Sequence, residues 1–379
     1  MEVIYSIGAK LAGGGIGDTA YHAVRGINRH GCLKKVICMG FANTEIPNEI
    51  TKDINLARLF SVSLRGLRKI FRFDIQTVYY YGGKVYDYLA SKELEKCNIF
   101  HGWNAMSLKC IRNAKEFNAI TIVERASSHP ITQMKLLIEE YKKFGIKIPP
   151  NQKLLKFTSK ELEECNYITI PSDFVKESFL KHGFDESKLI QIPFGVDIEK
   201  FKPVEKRDGT FRAIFVGTVM LRKGIQYLLE AWNELKLRDA ELLVCGAVTE
   251  EVKEIIKKYE KNKSIKILGH VKDVQSYYKI SDIFVFPSIE EGSALVTYEA
   301  MACGLPVVVT FNTGAIARDG KDGFVIPIRD VKALKEKILY LYENPEEIRR
   351  MGRSARKHVE RYTWNRYGDE LVRAYEEIK

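Results

Sequence analysis

The chain has 379 residues, 45% of them hydrophobic and 29% charged, a composition that excludes a disordered or fibrous polypeptide. That length is more than one core organises well, so two domains of somewhat under roughly 200 residues each are expected. No run approaches the roughly 18 apolar residues of a membrane span, and the start MEVIYSIGAKL has no basic region ahead of an apolar core. The expected compartment is therefore the cytoplasm. The formal net charge is +11 and it is uneven: up to Pro193 there are 28 Lys and Arg against 20 Asp and Glu, and beyond it 32 against 29. Attraction for anionic partners is thus expected mainly of the first half. Seven cysteines without a C-x-x-C pair, most of them in or beside apolar runs, read as free buried thiols and not as disulfides or a metal site.

Residues 2–7 (EVIYSI) predict a first strand, followed by GAKLAGGGIGD and a helix from about Asp18 to Gly31. Gly13, Gly14, Gly15 and Gly17 let the backbone approach a ligand, but the spacing is not the dinucleotide fingerprint G-x-G-x-x-G. A second strand is predicted at 36–39. The segment 54–72, INLARLFSVSLRGLRKIFR, holds five basic residues and no acidic one. On a helix it sets Arg58, Arg65 and Arg72 on one face, flanked by Arg68 and Lys69, and Leu56, Phe60, Leu64, Leu67 and Phe71 on another. Such a helix either packs its apolar stripe on the sheet or lies on anionic lipid; no base-reading module accompanies the charge, so nucleic acid is not expected. Tyr79, Tyr80 and Tyr81 before Gly82-Gly83 are read as a strand and turn.

A strand at 98–100 ends in His101, and one at 119–123 ends in the polar set Glu124-Arg125-Ala126-Ser127-Ser128-His129. Both ends lie where open α/β sheets place ligands. A helical region over 131–164 is broken at Pro149-Pro150, and a strand at 167–170 precedes a helix ending at Gly183. The stretch 192–209, IPFGVDIEKFKPVEKRDG, carries prolines, glycines and charges with no apolar period and reads as a domain boundary.

The pattern then restarts with the strand RAIFVG (212–217) and the loop TVMLRKG, where Arg222, Lys223 and Gly224 meet a helix start. Two cations and free amides converge there, as a diphosphate requires. ELLVCG, SIKILGHV and SDIFVFP are further strands between helices, so a parallel sheet covered on both faces is expected. The last of them opens FPSIEEGSALVTYEAMACGLPVVVT (286–310), a strand, loop, helix and strand. Glu291 stands in the loop and Glu299 eight residues on, inside a helix for which Ser293 is the expected N-cap. Carboxylates around an anion-seeking helix start suit a ligand with both phosphate and hydroxyls.

This E-x7-E pattern, with FPS before it and EAMACGLPVV after it, resembles the signature of retaining glycosyltransferases of the GT-B fold, of the large family-4 type. IPFGVD-x-x-x-F likewise resembles the linker of that family, and GFVIPIRD (323–330) its closing strand. The resemblance implies an α/β fold of two Rossmann-like doubly wound domains facing across a cleft. An acceptor-binding domain would span 1–193 and a nucleotide-sugar-binding domain 194–362, with the last helix (about 363–379) crossing back to the first. It implies that Arg222 and Lys223 neutralise the donor diphosphate, together with Gly217 and the backbone of Gly292, Ser293, Ala294 and Leu295. Glu299 would hold the ribose, backbone near Val271 the base, and Glu291 and His101 the donor sugar. Many relatives carry a further arginine after the strand glycine, where this chain has Thr218. Gly14, Gly15, Arg125, Ser127 and His129 are the candidates for the acceptor.

The implied function is metal-independent transfer of a hexose from a UDP- or GDP-sugar to a glycan or lipid-linked acceptor, with no bound cofactor. On the lipid reading of the basic 54–72 segment, such an enzyme would work at the inner, anionic face of a membrane, in cell-envelope polysaccharide synthesis. A nucleotide-sugar epimerase on the same fold, and a non-catalytic protein that has kept it, are the alternatives.

Overall fold

A computed structural model of the chain describes residues 1–41, 45–71, 73–204 and 208–379. The first half contains β1 (Val3–Ile7), α1 (Ile16–Arg29), β2 (Leu33–Cys38), β3 (Thr51–Asp53), α2 (Asn55–Phe71), α3 (Ile75–Ser91), β4 (Ile99–Trp103), α4 (Leu108–Glu116), β5 (Ile120–Glu124), α5 (Pro130–Lys143), α6 (Gln152–Glu164), β6 (Tyr167–Ile170), α7 (Asp173–Leu180) and β7 (Leu189–Gln191). Its strands form one sheet in the order β3-β2-β1-β4-β5-β6-β7, every described pairing parallel.

The second half contains β8 (Phe211–Val216), α8 (Ile225–Leu235), β9 (Ala240–Cys245), α9 (Lys253–Lys257), β10 (Ile265–Gly269), α10 (Val274–Lys279), β11 (Ile283–Phe286), α11 (Leu295–Ala302), β12 (Val307–Thr310), β13 (Gly323–Ile326), α12 (Val331–Glu343) and α13 (Pro345–Val359), and the chain ends in α14 (Trp364–Glu377). These strands form a second parallel sheet, β10-β9-β8-β11-β12-β13. Central strands such as Ile283–Phe286 and Val307–Val309 are buried throughout, as helices on both faces of a parallel sheet demand. Two Rossmann-like α/β domains result.

Strand order reverses between β1 and β4 in the first sheet and between β8 and β11 in the second. Loops leaving neighbouring strands diverge at such a point and open a crevice. The loop carrying Arg222 and Lys223 follows β8, and the loop carrying Glu291 follows β11. The two motif loops therefore flank one switch point, which is why residues almost seventy positions apart form one site.

The last helix crosses back to the first domain. Gly26 of α1 and Gly368 of α14 touch backbone to backbone, so that a Cβ on either would collide with the other; Asp369 pairs with Arg29 and, at 2.8 Å, with His30. All seven cysteines are free, and six of them are buried. Among the described residues no helix is long and apolar enough to cross a membrane.

Several local expectations change. Tyr79, Tyr80 and Tyr81 lie inside α3 and not in a strand: Asp74 caps that helix, accepting from the Thr77 amide at 2.8 Å, and Gly82 and Gly83 are packing glycines against Ser61 and the Ala105 carbonyl. The edge strands β3 and β7, three residues each, are too short to show a period of their own. In the helix at the glutamate motif, Ala294 occupies the N-cap position with no side-chain cap. The Ser293 hydroxyl instead bonds Tyr298 Oη and the Gly314 carbonyl, both at 2.9 Å. Arg72, expected on the basic face of α2, lies outside the described residues.

Candidate functional site

The β8–α8 loop closes in a short turn, Leu221–Lys223, ended by Gly224 in the left-handed region (φ 73°). A Cβ there would strike the Pro287 carbonyl, so only glycine lets this loop lie flat on the β11–α11 loop. The two loops are stitched by Ile289 N–H donating to the Arg222 carbonyl at 2.9 Å and by Ser288 Oγ donating to the same carbonyl at 3.1 Å. Asn312 fixes the outer turn by donating to the Ile289 carbonyl at 2.8 Å.

Cations and carboxylates interleave on this platform. Arg222 Nε donates to the Glu290 carbonyl at 2.8 Å, and Nη2 lies 3.0 Å from Glu290 Oε2 and 3.8 Å from Glu291 Oε2. Lys223 Nζ pairs with Glu291 Oε1. Burial would weaken the guanidinium, but the charges of Glu290 and Glu291 outweigh it and hold the Arg222 pKa above its usual value. Burial dominates at Lys223, whose pKa is lowered despite Glu291. At Glu290 burial is overcome by Arg222 and by hydrogen bonds from Ser128 and Gln133, so its carboxyl stays below the ordinary range. An anionic ligand at this platform would take over cations that the two glutamates now neutralise.

Glu290 went unremarked in the sequence because only the spaced pair Glu291 and Glu299 had a pattern; its neighbour became visible once the domains met. It is fully buried and reaches the first domain: Ser128 donates to Oε1 through its hydroxyl (2.8 Å) and amide (3.1 Å), and Gln133 Nε2 donates to Oε2 at 3.1 Å. Arg125 braces the same loop, donating to the Ser128 carbonyl (2.7 Å), Gln133 Oε1 (2.9 Å) and Asn104 Oδ1 (2.9 Å); burial lowers its pKa to about 10. Gly292 abuts Ala126 and Ser127 so closely that a Cβ would collide with the Ala126 carbonyl, and Ser172 Oγ donates to the Gly292 carbonyl at 2.5 Å. The domains are closed on each other at the glutamate loop.

Beside this seal a cavity of about 550 Å³ lies between Asp18, His22 and Arg25 of α1, the linker Gly195–Phe201, Leu295 and Glu299 of α11, and the start of α14. That is within the usual range for small-ligand sites. The N–H groups of Leu295 and Val296, in the first turn of α11, have no partner within the helix, whereas Ala294 N–H donates to the Thr313 carbonyl. Glu299 Oε2 accepts from Tyr278 Oη at 3.1 Å, and burial lifts its pKa to about 7. The α1 residues were missed although Asp18, His22 and Arg25 stand at helical i, i+4, i+7 spacing after a glycine loop, a signal that the sequence does contain.

The other expected site residues fall in three groups. Gly14 and Gly15 have positive φ (90° and 57°) and open space where a side chain would stand, at the exposed start of α1. Gly217 (φ 139°) ends β8 with its carbonyl against Gly246, and Val271 follows β10 at its carboxyl end, the ligand side of the sheet. Two histidines have other company. His101, expected to face a donor sugar, is fully buried, with Nδ1 2.6 Å from Tyr375 Oη and Nε2 3.3 Å from Glu124 and Thr169. It ties β4 to α14. His129 starts α5, accepting from the Ile131 amide at 3.4 Å and stacking on His182 with centroids 4.1 Å apart; burial lowers its pKa to about 3.

Residues 196–358 match the family model described as glycosyl transferases group 1. The chain is 31% identical over 229 residues to the capsular polysaccharide biosynthesis glycosyltransferase CapM of Staphylococcus aureus, covering 57% of this chain and 58% of CapM. It is 30% identical over 230 residues to the putative glycosyltransferase EpsD of Bacillus subtilis, covering 56% and 60%. The matched regions thus span a little over half the length of these curated relatives. Among solved structures, sucrose-phosphate synthase from Thermosynechococcus elongatus superposes with a TM-score of 0.73 at 17% identity, covering 100% of this chain and 99% of that one. HepE of Anabaena in complex with UDP superposes with a TM-score of 0.68 at 13% identity and covers 100% of each chain. The fold is that of the GT-B glycosyltransferases, and residues 196–358, which hold every motif of the candidate donor site, are the part that the group 1 family model describes.

Proposed function

We propose that the chain is a retaining glycosyltransferase that moves a hexose from a nucleoside-diphosphate sugar to a glycan or lipid-linked acceptor, without a bound metal. One observation carries this reading: Arg222, Lys223, Glu291 and the open first turn of α11 converge at the switch point of the second sheet, within the region that matches the family model. The similarity to CapM and EpsD supports it. The acceptor oxygen forms a bond to the anomeric carbon as the bond from that carbon to the diphosphate breaks. The electron pair leaves on the diphosphate, which also takes the acceptor proton.

The chemical demand is to stabilise negative charge on the departing diphosphate and to exclude water from an oxocarbenium-like centre. Arg222, Lys223 and the Leu295 and Val296 amides answer the first part. Glu291, released from Lys223 by the diphosphate, takes the sugar hydroxyls. Glu299 in the cavity wall takes the ribose, and backbone at Val271 the base. The closed contact of Gly292 with Ala126 answers the second part on that side of the glutamate loop. Ser127 on the facing loop, held there by Arg125, and Gly14 and Gly15 at the mouth are the proposed acceptor contacts.

A panel of UDP- and GDP-sugars read by thermal shift tests this, because a donor at 100 times its Kd adds about 2.7 kcal/mol of stability. Stabilisation by one donor, and a product whose anomeric configuration by NMR equals that of the donor, are expected. Silence across the panel would leave a non-catalytic protein with this fold. Interconversion of donors without an acceptor would indicate an epimerase, a reading to which the transferase names of the relatives lend nothing.

A further inference from the structure

Helix α2 does not pack as an amphipathic helix of a soluble domain should. Its inward face is narrow, with Ala57 buried and Ser61 and Leu64 half-buried, and Ser61 nests against Gly82 of α3. The rest of its apolar surface faces solvent: Ile70 is 73% exposed, Phe71 70%, Leu56 69% and Leu59 59%. At 100° per residue these side chains share one flank, along with Leu67, and Arg58, Arg65 and Arg68 share the opposite one, with the exposed Val62 between the two. Scattered exposed leucines need no explanation, but a contiguous apolar strip along about 25 Å of helix does.

We infer that α2 is a membrane-docking element that lies in the headgroup region of an anionic bilayer, with its apolar flank toward the acyl chains. The charge selects this occupant. The helix carries no acidic residue, so a second copy of the strip would cover the apolar flank but bring no counter-charge to the arginines. An anionic lipid surface satisfies both flanks at once. Position agrees with this. The helix starts where β3 ends, on the ligand side of the first sheet, and the Arg58 guanidinium overlies Gly40 beside Lys10: a Cβ on Gly40 would stand 3.0 Å from Arg58 Nη1 and 3.8 Å from Lys10 Cγ. Lys10 belongs to the glycine loop at the cleft mouth, so a docked helix brings that mouth to the bilayer. If the transferase reading holds, the acceptor on which it acts is therefore presented from the lipid surface.

Flotation of the full chain with vesicles of phosphatidylcholine, alone or mixed with phosphatidylglycerol, tests the inference without any measure of transfer, so it can fail independently of the proposed activity. Binding is expected only to the mixed vesicles and to fall with salt. The variant Arg58→Gln/Arg65→Gln/Arg68→Gln should partition on the order of a hundredfold more weakly, and Leu59→Ser/Ile70→Ser at least about tenfold. All five side chains are exposed, so circular dichroism and Tm should stay unchanged. No binding to the mixed vesicles, equal binding to neutral ones, or binding that ignores both variants would overturn the inference. So would a concentration-dependent dimer that the serines abolish while vesicles are left unbound, which would assign the strip to a second copy.

Discussion

Glu299 makes the clearest residue-scale prediction because its pKa sits at about 7. Burial raises this carboxyl, so the folded chain holds its proton at pH values where an unfolded one has lost it. Its contribution to stability therefore declines as pH rises from the ordinary carboxylate range through 7. Ribose hydroxyls donate more strongly to a carboxylate than to a carboxylic acid, so donor affinity should move the other way and strengthen between about pH 6 and 8. Titration calorimetry at three pH values checks this, and Glu299→Gln should bind about tenfold more weakly at high pH with the pH dependence gone. Lys223 and Glu291 make a second prediction. Lys223→Ala removes a cation from the leaving group and should lower kcat/KM by about 100-fold or more. Glu291→Ala leaves Lys223 with a depressed pKa and no partner, so the loss should follow a pH profile that Lys223→Ala lacks. Full transfer activity in either variant would end the assignment.

At the scale of elements, the β11–α11 loop is clamped between the two domains, and Gly292 is the point of contact. Its backbone needs no positive φ, so Gly292→Ala is a test of space alone: the new methyl meets the Ala126 carbonyl and should hold the loops apart, costing about 1–3 kcal/mol. Thermal melts should show that loss, and donor binding should survive better than kcat. Legibility in the sequence followed the same divide between local and long-range causes. The apolar runs and loop chemistry of 212–310 announced the second sheet and the E-x7-E loop because each is decided within a few residues. Ser293 was read as a cap from its place before a helical pattern, yet its hydroxyl is drawn off by Tyr298 and Gly314, the latter twenty-one residues on. Tyr79–Tyr81 read as a strand because aromatics favour strands, while the cap at Asp74 and the packing of Gly82 and Gly83 made a helix. His101 was read as ending a strand, but β4 runs on to Trp103 and α14 crosses nearly the whole chain to cover the imidazole. Glu290 was invisible because Ser128 and Gln133, which give it meaning, lie in the other domain.

At the scale of the whole molecule, closure rests on a second buried carboxylate. Glu140 of α5 is fully enclosed and accepts from Arg329 Nε at 2.6 Å, Tyr227 Oη at 2.7 Å and Gln226 Nε2 at 2.8 Å, all from the other domain. Arg329→Ala leaves that charge without its counter-ion and should cost about 3 kcal/mol, read as a lower denaturant midpoint. Any donor that must part the domains to enter would then bind faster, which stopped-flow mixing would show. The far side of the cleft has its own reporter. Of three tryptophans, Trp103 and Trp232 are buried in the domain interiors, whereas Trp364 lines the cavity and lies flat on His22 with ring centroids 4.1 Å apart and planes 3° from parallel. Burial keeps that imidazole neutral down to about pH 4, so at physiological pH it is a weak quencher. The emission of a single indole should then change whenever the cleft fills or opens, giving the protein an optical gauge of its own occupancy that requires no label.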